Sequence, residues 1–257
     1  MLTREAAFKL IAPRAIAQGS AEAMEVVRLR FEREAKATAG LRSPHTVTIF
    51  DYGPLPAGRA MWLLRQICRS LEEAHEVGLT HRDIKPRNIM VGQSGLDNDF
   101  AKVLDFGLVK AMEDVESAKL TRDGTTTGTP AYMAPEMALG TDEVNARSDL
   151  YAVGCVGYWL VTGKLVFDAK NRMGMLMAHA QETLRPPSER VELPVPSDLD
   201  ALLLACLETD PAARPQSARA LRERLKPFEA SREWDEARAD RWWRNHAPDQ
   251  LRLSPVA

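Results

Sequence analysis

The sequence predicts an α+β fold in two unequal parts, a small β-containing N-terminal region and a larger, mostly helical body. Three observations carry that expectation. Strand-like runs at 6–11 and 46–52 flank a single helical stretch near the N-terminus. Beyond Pro135 the apolar spacing is almost wholly helical. Within that part, residues 149–162 are apolar nearly all round, which marks a helix enclosed by a lobe rather than lying on its surface.

The first strand-like run is Ala6-Ala7-Phe8-Lys9-Leu10-Ile11, ended by Pro13. A helix is expected from Glu22 to Ala39, where Met24, Val27, Phe31, Ala35 and Thr38 recur on one stripe that also carries Glu34. Ser20 is placed to cap it and Gly40 to stop it. Thr46 to Tyr52 reads as a strand closed by Gly53-Pro54 and Pro56. The next helix runs from about Ala57 to Val77, with Leu64, Ile67, Leu71 and Ala74 on one face and Gly78 as the stop. Residues 79–107 read as short strands and turns, and helices at 199–207 and 217–225 complete the compact part. The final segment, 228–257, holds Trp234, Trp242 and Trp243 in a charged, helical pattern.

Composition bounds the function. With 45% hydrophobic and 27% charged residues the chain has the means to fold around a core, and its formal charge of -2 offers no bulk attraction to nucleic acid or acidic membranes. Cys68, Cys155 and Cys206 lie far apart without a C-x-x-C spacing, which argues against disulfides or a zinc site and for a reducing compartment. The longest apolar run, Leu150 to Val161, is too short to cross a bilayer, so the expected location is the cytoplasm, with no membrane and no nucleic-acid partner.

The chemistry is concentrated in His81-Arg82-Asp83-Ile84-Lys85-Pro86-Arg87-Asn88 and, after the strand-like Ala101-Lys102-Val103-Leu104, in Asp105-Phe106-Gly107. Gly128-Thr129-Pro130-Ala131-Tyr132-Met133-Ala134-Pro135-Glu136 follows. With these motifs in this order, the chain resembles the bacterial serine/threonine protein kinases of the eukaryotic type from roughly Ala6 to Leu225. The resemblance implies a protein-kinase-like fold with a mostly helical C-lobe and a reduced β-containing N-lobe. It divides the chain into an N-lobe remnant at 1–53, a C-lobe at 54–227 and a helical tail at 228–257.

The resemblance also implies roles. Asp83 would accept the proton of a protein Ser or Thr hydroxyl, Lys85 would stabilise the transferring phosphoryl group, and Asn88 and Asp105 would hold Mg2+ for ATP. Lys9 would grip the ATP phosphates, with Glu34 as its helix partner. Lys85 with Thr129 matches the pattern for Ser/Thr acceptors. Glu136 would pair with Arg214, and Asp149 would brace the catalytic loop. Arg82 would meet a phosphate on Thr121, Thr125, Thr126 or Thr127, against the alternative that this Thr-rich loop is merely solvated.

Two pieces of the family pattern are missing. Only eight residues precede Lys9 and none is Gly, which leaves no place for the first two strands and their Gly-rich phosphate loop, and Gly53-Pro54-Leu55-Pro56 leads straight into a helix where a strand, hinge and short helix are expected. Losing two hinge hydrogen bonds at about 0.5–1.5 kcal/mol each would weaken ATP roughly five- to 150-fold. The readings left open are therefore an active kinase, a catalytically silent pseudokinase or binding module, and a truncated kinase fragment. For the tail, a helix packed back on the C-lobe competes with one that binds a protein partner.

Overall fold

The computed structural model describes residues 5–7, 55–106, 130–141, 144–226 and 234–246. The helix expected at 22–39 and the strand at 46–52 lie outside them, as do Lys9, Glu34, Gly107, Thr129 and the four candidate phosphothreonines. Within the described residues the order is strand β1 (Glu5–Ala7), helix α1 (Ala57–Glu76), strands β2 (Ile89–Ser94) and β3 (Asp97–Val103), and helices α2 (Pro135–Leu139), α3 (Ala146–Thr162), α4 (Arg172–Gln181), α5 (Ser197–Cys206), α6 (Ala218–Leu225) and α7 (Glu236–His246).

Helix α1 ends as its sequence predicts. Gly78 takes φ +79, and the bonds Gly78 N to His75 O (3.1 Å) and Leu79 N to Ala74 O (2.9 Å) close a Schellman motif that turns the chain toward the catalytic loop. The expected apolar face, Leu64, Ile67, Leu71 and Ala74, is buried. At the other end, Leu55 N donates to Leu160 O at 2.7 Å, tying the start of α1 to the last turn of α3.

Helix α3 is the core of the lobe, and its burial on nearly every side bears out the all-round apolar pattern. It starts three residues before Asp149 because Asn145 forms a capping box with Ser148, a local polar signal outside the apolar run. Gly154 lets α5 approach: an added Cβ there would lie 2.7 Å from Cys206 Cβ. All three cysteines are free and buried, and burial pushes their thiols up, so they pack as small apolar residues. Among the described residues no helix is long and apolar enough to cross a membrane.

The strands form one antiparallel sheet in the order β1-β2-β3. β2 and β3 are a hairpin turned at Gly95-Leu96, with Ile89 opposite Val103 and Ser94 opposite Asp97. β1 covers 5–7 rather than starting at 6, and it joins this hairpin, with Glu5 opposite Gly92 and Ala7 opposite Met90. Its partner is thus the strand that follows the catalytic loop. Helix α7 packs back against β3, with Ala239 and Trp243 buried. Trp243 is thereby packed into the lobe.

Candidate active site

The catalytic loop hangs from the N-terminal turn of α3. Asp149, itself buried, accepts the backbone N–H of His81 (2.8 Å) and of Arg82 (2.7 Å), and the His75 ring nitrogen Nε2 donates to the same carboxylate at 2.8 Å. The bracing role assigned to Asp149 is present as two direct backbone bonds. His75, on the last turn of α1, was not singled out in the sequence, since a histidine near a helix C-terminus is commonplace there.

The two motifs are joined through His81. Asp83 N donates to His81 Nδ1 (3.3 Å), so the ring carries its proton on Nε2, which donates to Leu104 O at 2.8 Å. The imidazole also lies 4.8 Å from the Phe106 ring. Leu104 N in turn donates to Asn88 O at 2.8 Å, which sets Asp105 beside the end of the catalytic loop. Arg82 (φ +63) and Asp105 (φ +56) both adopt the left-handed region, a strain of order 1–3 kcal/mol each that persists only where surrounding contacts impose it.

Three of the predicted functional side chains converge directly. Lys85 Nζ lies 2.7 Å from Asp83 Oδ2, and Asn88 Nδ2 donates to Asp83 O (2.8 Å) and Oδ2 (3.1 Å). Asp83 and Lys85 keep about a quarter and a fifth of their side-chain surface open, at 27% and 18%, so the carboxylate is positioned yet reachable by a hydroxyl. With Nδ2 engaged on Asp83, Asn88 turns its amide oxygen away as the atom suited to a cation. Asp105 is exposed.

These oxygen donors fit Mg2+, which typically takes one or two protein ligands and fills its remaining positions from phosphate and water. Among the described residues no group of three or more His, Cys, Asp or Glu could hold a metal ion by itself.

Below the loop, Glu136 of α2 and Arg214 form the expected pair. Arg214 Nη1 and Nη2 donate to the two carboxylate oxygens at 2.8 Å each, and Ser148 Oγ donates to Oε1 at 2.6 Å. Burial acts to raise the Glu136 pKa, but the bonds from Arg214 and Ser148 outweigh it and hold the carboxyl below its ordinary value.

A braced loop presenting Asp, Lys and Asn, joined by hydrogen bonds to a hairpin whose second strand leads into Asp105, is the arrangement of a protein kinase C-lobe. The chain belongs to the protein kinase family, in its bacterial, eukaryotic-type serine/threonine branch: the model for the protein kinase domain matches residues 18–225. It is 36% identical over 232 residues to serine/threonine-protein kinase pkn3 of Myxococcus xanthus, covering 79% of this chain and 42% of that protein. It is 37% identical over 241 residues to PknD of Mycobacterium tuberculosis (84% of this chain, 34% of that one) and 34% over 227 residues to PknB of Mycobacterium leprae (77% and 35%). The chain thus spans well under half the length of these relatives. Alignments longer than the share of this chain they take in must open gaps on its side, as expected if the relatives carry a segment missing here. Glu34, Asp83, Lys85, Asn88 and Asp105 fall inside the matched residues, and Lys9 precedes them.

Proposed function

We propose that this chain transfers the γ-phosphate of ATP to Ser or Thr hydroxyls of a protein substrate, with Mg2+, in the cytoplasm. The observation that carries the reading is the hydrogen-bonded set Asp83, Lys85 and Asn88 locked to the strand leading into Asp105. Phosphoryl transfer asks a protein chiefly for positioning and charge. In this reading Asp83 receives the hydroxyl proton on Oδ1, since Oδ2 is held by Lys85 and Asn88. Lys85 holds Oδ2 of that carboxylate in place and presents positive charge toward the phosphoryl group in flight. Asn88 and Asp105 would hold Mg2+, which would supply charge neutralisation to the ATP phosphates. The Lys9 and Glu34 pairing remains part of this proposal, on the strength of the family pattern alone. Buried free cysteines support the cytoplasmic placement.

A second reading, a silent kinase lobe used for docking, is favoured by one observation. Pro56 caps α1 directly, so Gly53 to Pro56 is all that connects the expected strand at 46–52 to the lobe. Thermal unfolding tests whether the lobe holds nucleotide at all, which transfer requires. The kinase reading expects a melting temperature raised by ATP with Mg2+ and not by ATP with EDTA, and a shift abolished in Asp105→Asn. The absence of any nucleotide-dependent shift in the wild-type chain would remove the proposal.

A further inference from the structure

A second cluster of buried charge among the described residues lies at the other end of the hairpin from the active site. Asp99 of β3 is fully buried and sits at φ +52. Arg59, in the first turn of α1, donates to both of its oxygens, from Nε to Oδ2 at 2.9 Å and from Nη2 to Oδ1 at 2.8 Å. The remaining two bonds come from the tail: Trp234 Nε1 to Oδ2 at 2.9 Å and Trp243 Nε1 to Oδ1 at 2.8 Å. An ionised carboxylate has about four acceptor positions, so these four donors complete it. The Arg59 guanidinium is also stacked by the tail, 3.7 Å from the Trp242 ring centroid and 5.1 Å from that of Trp234. Gln66 of α1 adds two bonds to the same strand, to Asp99 O and from Ala101 N.

This cluster is on the mount of both metal-ligand candidates. β2 begins immediately after Asn88, and β3 ends two residues before Asp105. A hairpin of two strands is marginal alone, and β1 adds only three residues to its edge, so its rigidity depends on what grips it from outside. Helix α1 grips one side through Arg59 and Gln66. The tail grips the same carboxylate through Trp234 and Trp243, and it converts a buried ion pair into a fully bonded one, which is the condition under which such a pair holds geometry.

We propose that Asp99 is a positioning residue for the metal-binding end of the hairpin, and that the tail from Trp234 to His246 is a built-in clamp acting through it. The clamp lies beyond residue 225, where the match to the kinase domain ends, so the working catalytic lobe of this chain extends to the tail helix. The effect on catalysis rests on the kinase reading above, but the mechanical claim does not.

The test is hydrogen exchange on the full chain without nucleotide, comparing wild type with the double variant Trp234→Phe/Trp243→Phe. Phe keeps an aromatic ring in each seat and removes the indole N–H together with part of the ring, and α3 and α5 report whether that lost volume loosens the whole lobe. Arg244→Ala, which loses an exposed ion pair with Asp240 on the same helix, is the control. The proposal expects amides of 89–94 and 97–104 to exchange about tenfold faster in the double variant, with α3 and α5 unchanged and the control like wild type. Faster exchange confined to 236–246, no change anywhere, or an equal rise throughout α3 and α5 would each overturn it. Where wild type transfers phosphate, the Mg2+ concentration for half-maximal rate should rise several-fold in the double variant while the rate at saturating Mg2+ is nearly kept. A wild-type chain without phosphoryl transfer would count against the kinase reading and leave exchange to judge the clamp.

Discussion

Glu136 and Arg214 meet through two parallel hydrogen bonds of 2.8 Å although 78 residues separate them, and both side chains are buried. Each neutralises a charge that the lobe could not otherwise enclose. Arg214→Ala should therefore cost about 3–5 kcal/mol in urea unfolding, because it strands the Glu136 carboxylate. Replacing Glu136 by Gln and Arg214 by Met together should cost less than the sum of the single changes. The folded carboxyl pKa lies below its ordinary 4.5, so this stabilisation is complete above that value and disappears as pH falls through the lowered one.

Asp149→Asn tests the brace. Asn offers one acceptor oxygen where Asp149 uses two on the His81 and Arg82 amides, so one amide would face an NH2 group. A stability loss of about 1.5–3 kcal/mol is expected, since a hydrogen bond to a charged group is worth that much. The left-handed backbone of Arg82 would lose its constraint, and phosphoryl transfer should fall by about tenfold or more. Full activity in Asp149→Asn would show that the loop holds its shape without the carboxylate.

Much of this site was legible because it is local. The HRDIKPRN run, the Asp-Phe-Gly motif and their spacing place Asp83, Lys85, Asn88 and Asp105 on one loop and one strand end, and the hydrogen bonds join them as that order implies. The stop of α1 at Gly78 and the buried course of α3 follow from glycine chemistry and apolar patterning. The Asp99 cluster was not legible. It unites Arg59, a strand aspartate and two indoles across 40 to 144 residues, and no periodicity marks such a contact. The only signal was compositional, tryptophans in an otherwise charged helix, and it suited a partner surface as well as a docked tail. The pairing of β1 with β2 was hidden for a similar reason: a three-residue run of Glu-Ala-Ala fits any free sheet edge.

His179 makes the lobe sensitive to mild acid. It is buried in α4, its Nδ1 is 2.7 Å from the Tyr151 hydroxyl, and burial pushes its pKa down from 6.5 to about 4, against a smaller opposing pull from the Ala131 backbone. Between those values the unfolded chain binds a proton that the folded chain refuses, so stability falls as pH drops from 6.5 toward 4. The expected loss is about 2 kcal/mol between pH 7 and pH 5, followed by urea unfolding. His179→Gln should flatten that slope, and an unchanged slope would assign it to other groups.

Gly154→Ala should destabilise the lobe by about 1–3 kcal/mol, the usual cost of overpacking. The obstruction is Cys206 Cβ at 2.7 Å, an atom that cannot rotate away without moving the α5 backbone. A cycle with Cys206→Gly should recover part of the loss if the contact is its cause.

The most direct measurement is transfer of labelled γ-phosphate from ATP with Mg2+ to a generic protein substrate, with wild type and Asp83→Asn run side by side. Asn keeps the size of the side chain and cannot take the hydroxyl proton. The predicted result is incorporation on Ser or Thr by wild type and a loss of about 100-fold or more in the variant, the scale of a missing general base. Equal incorporation by the two proteins, or none by wild type, would contradict the assignment of Asp83 and its loop as a working phosphoryl-transfer site.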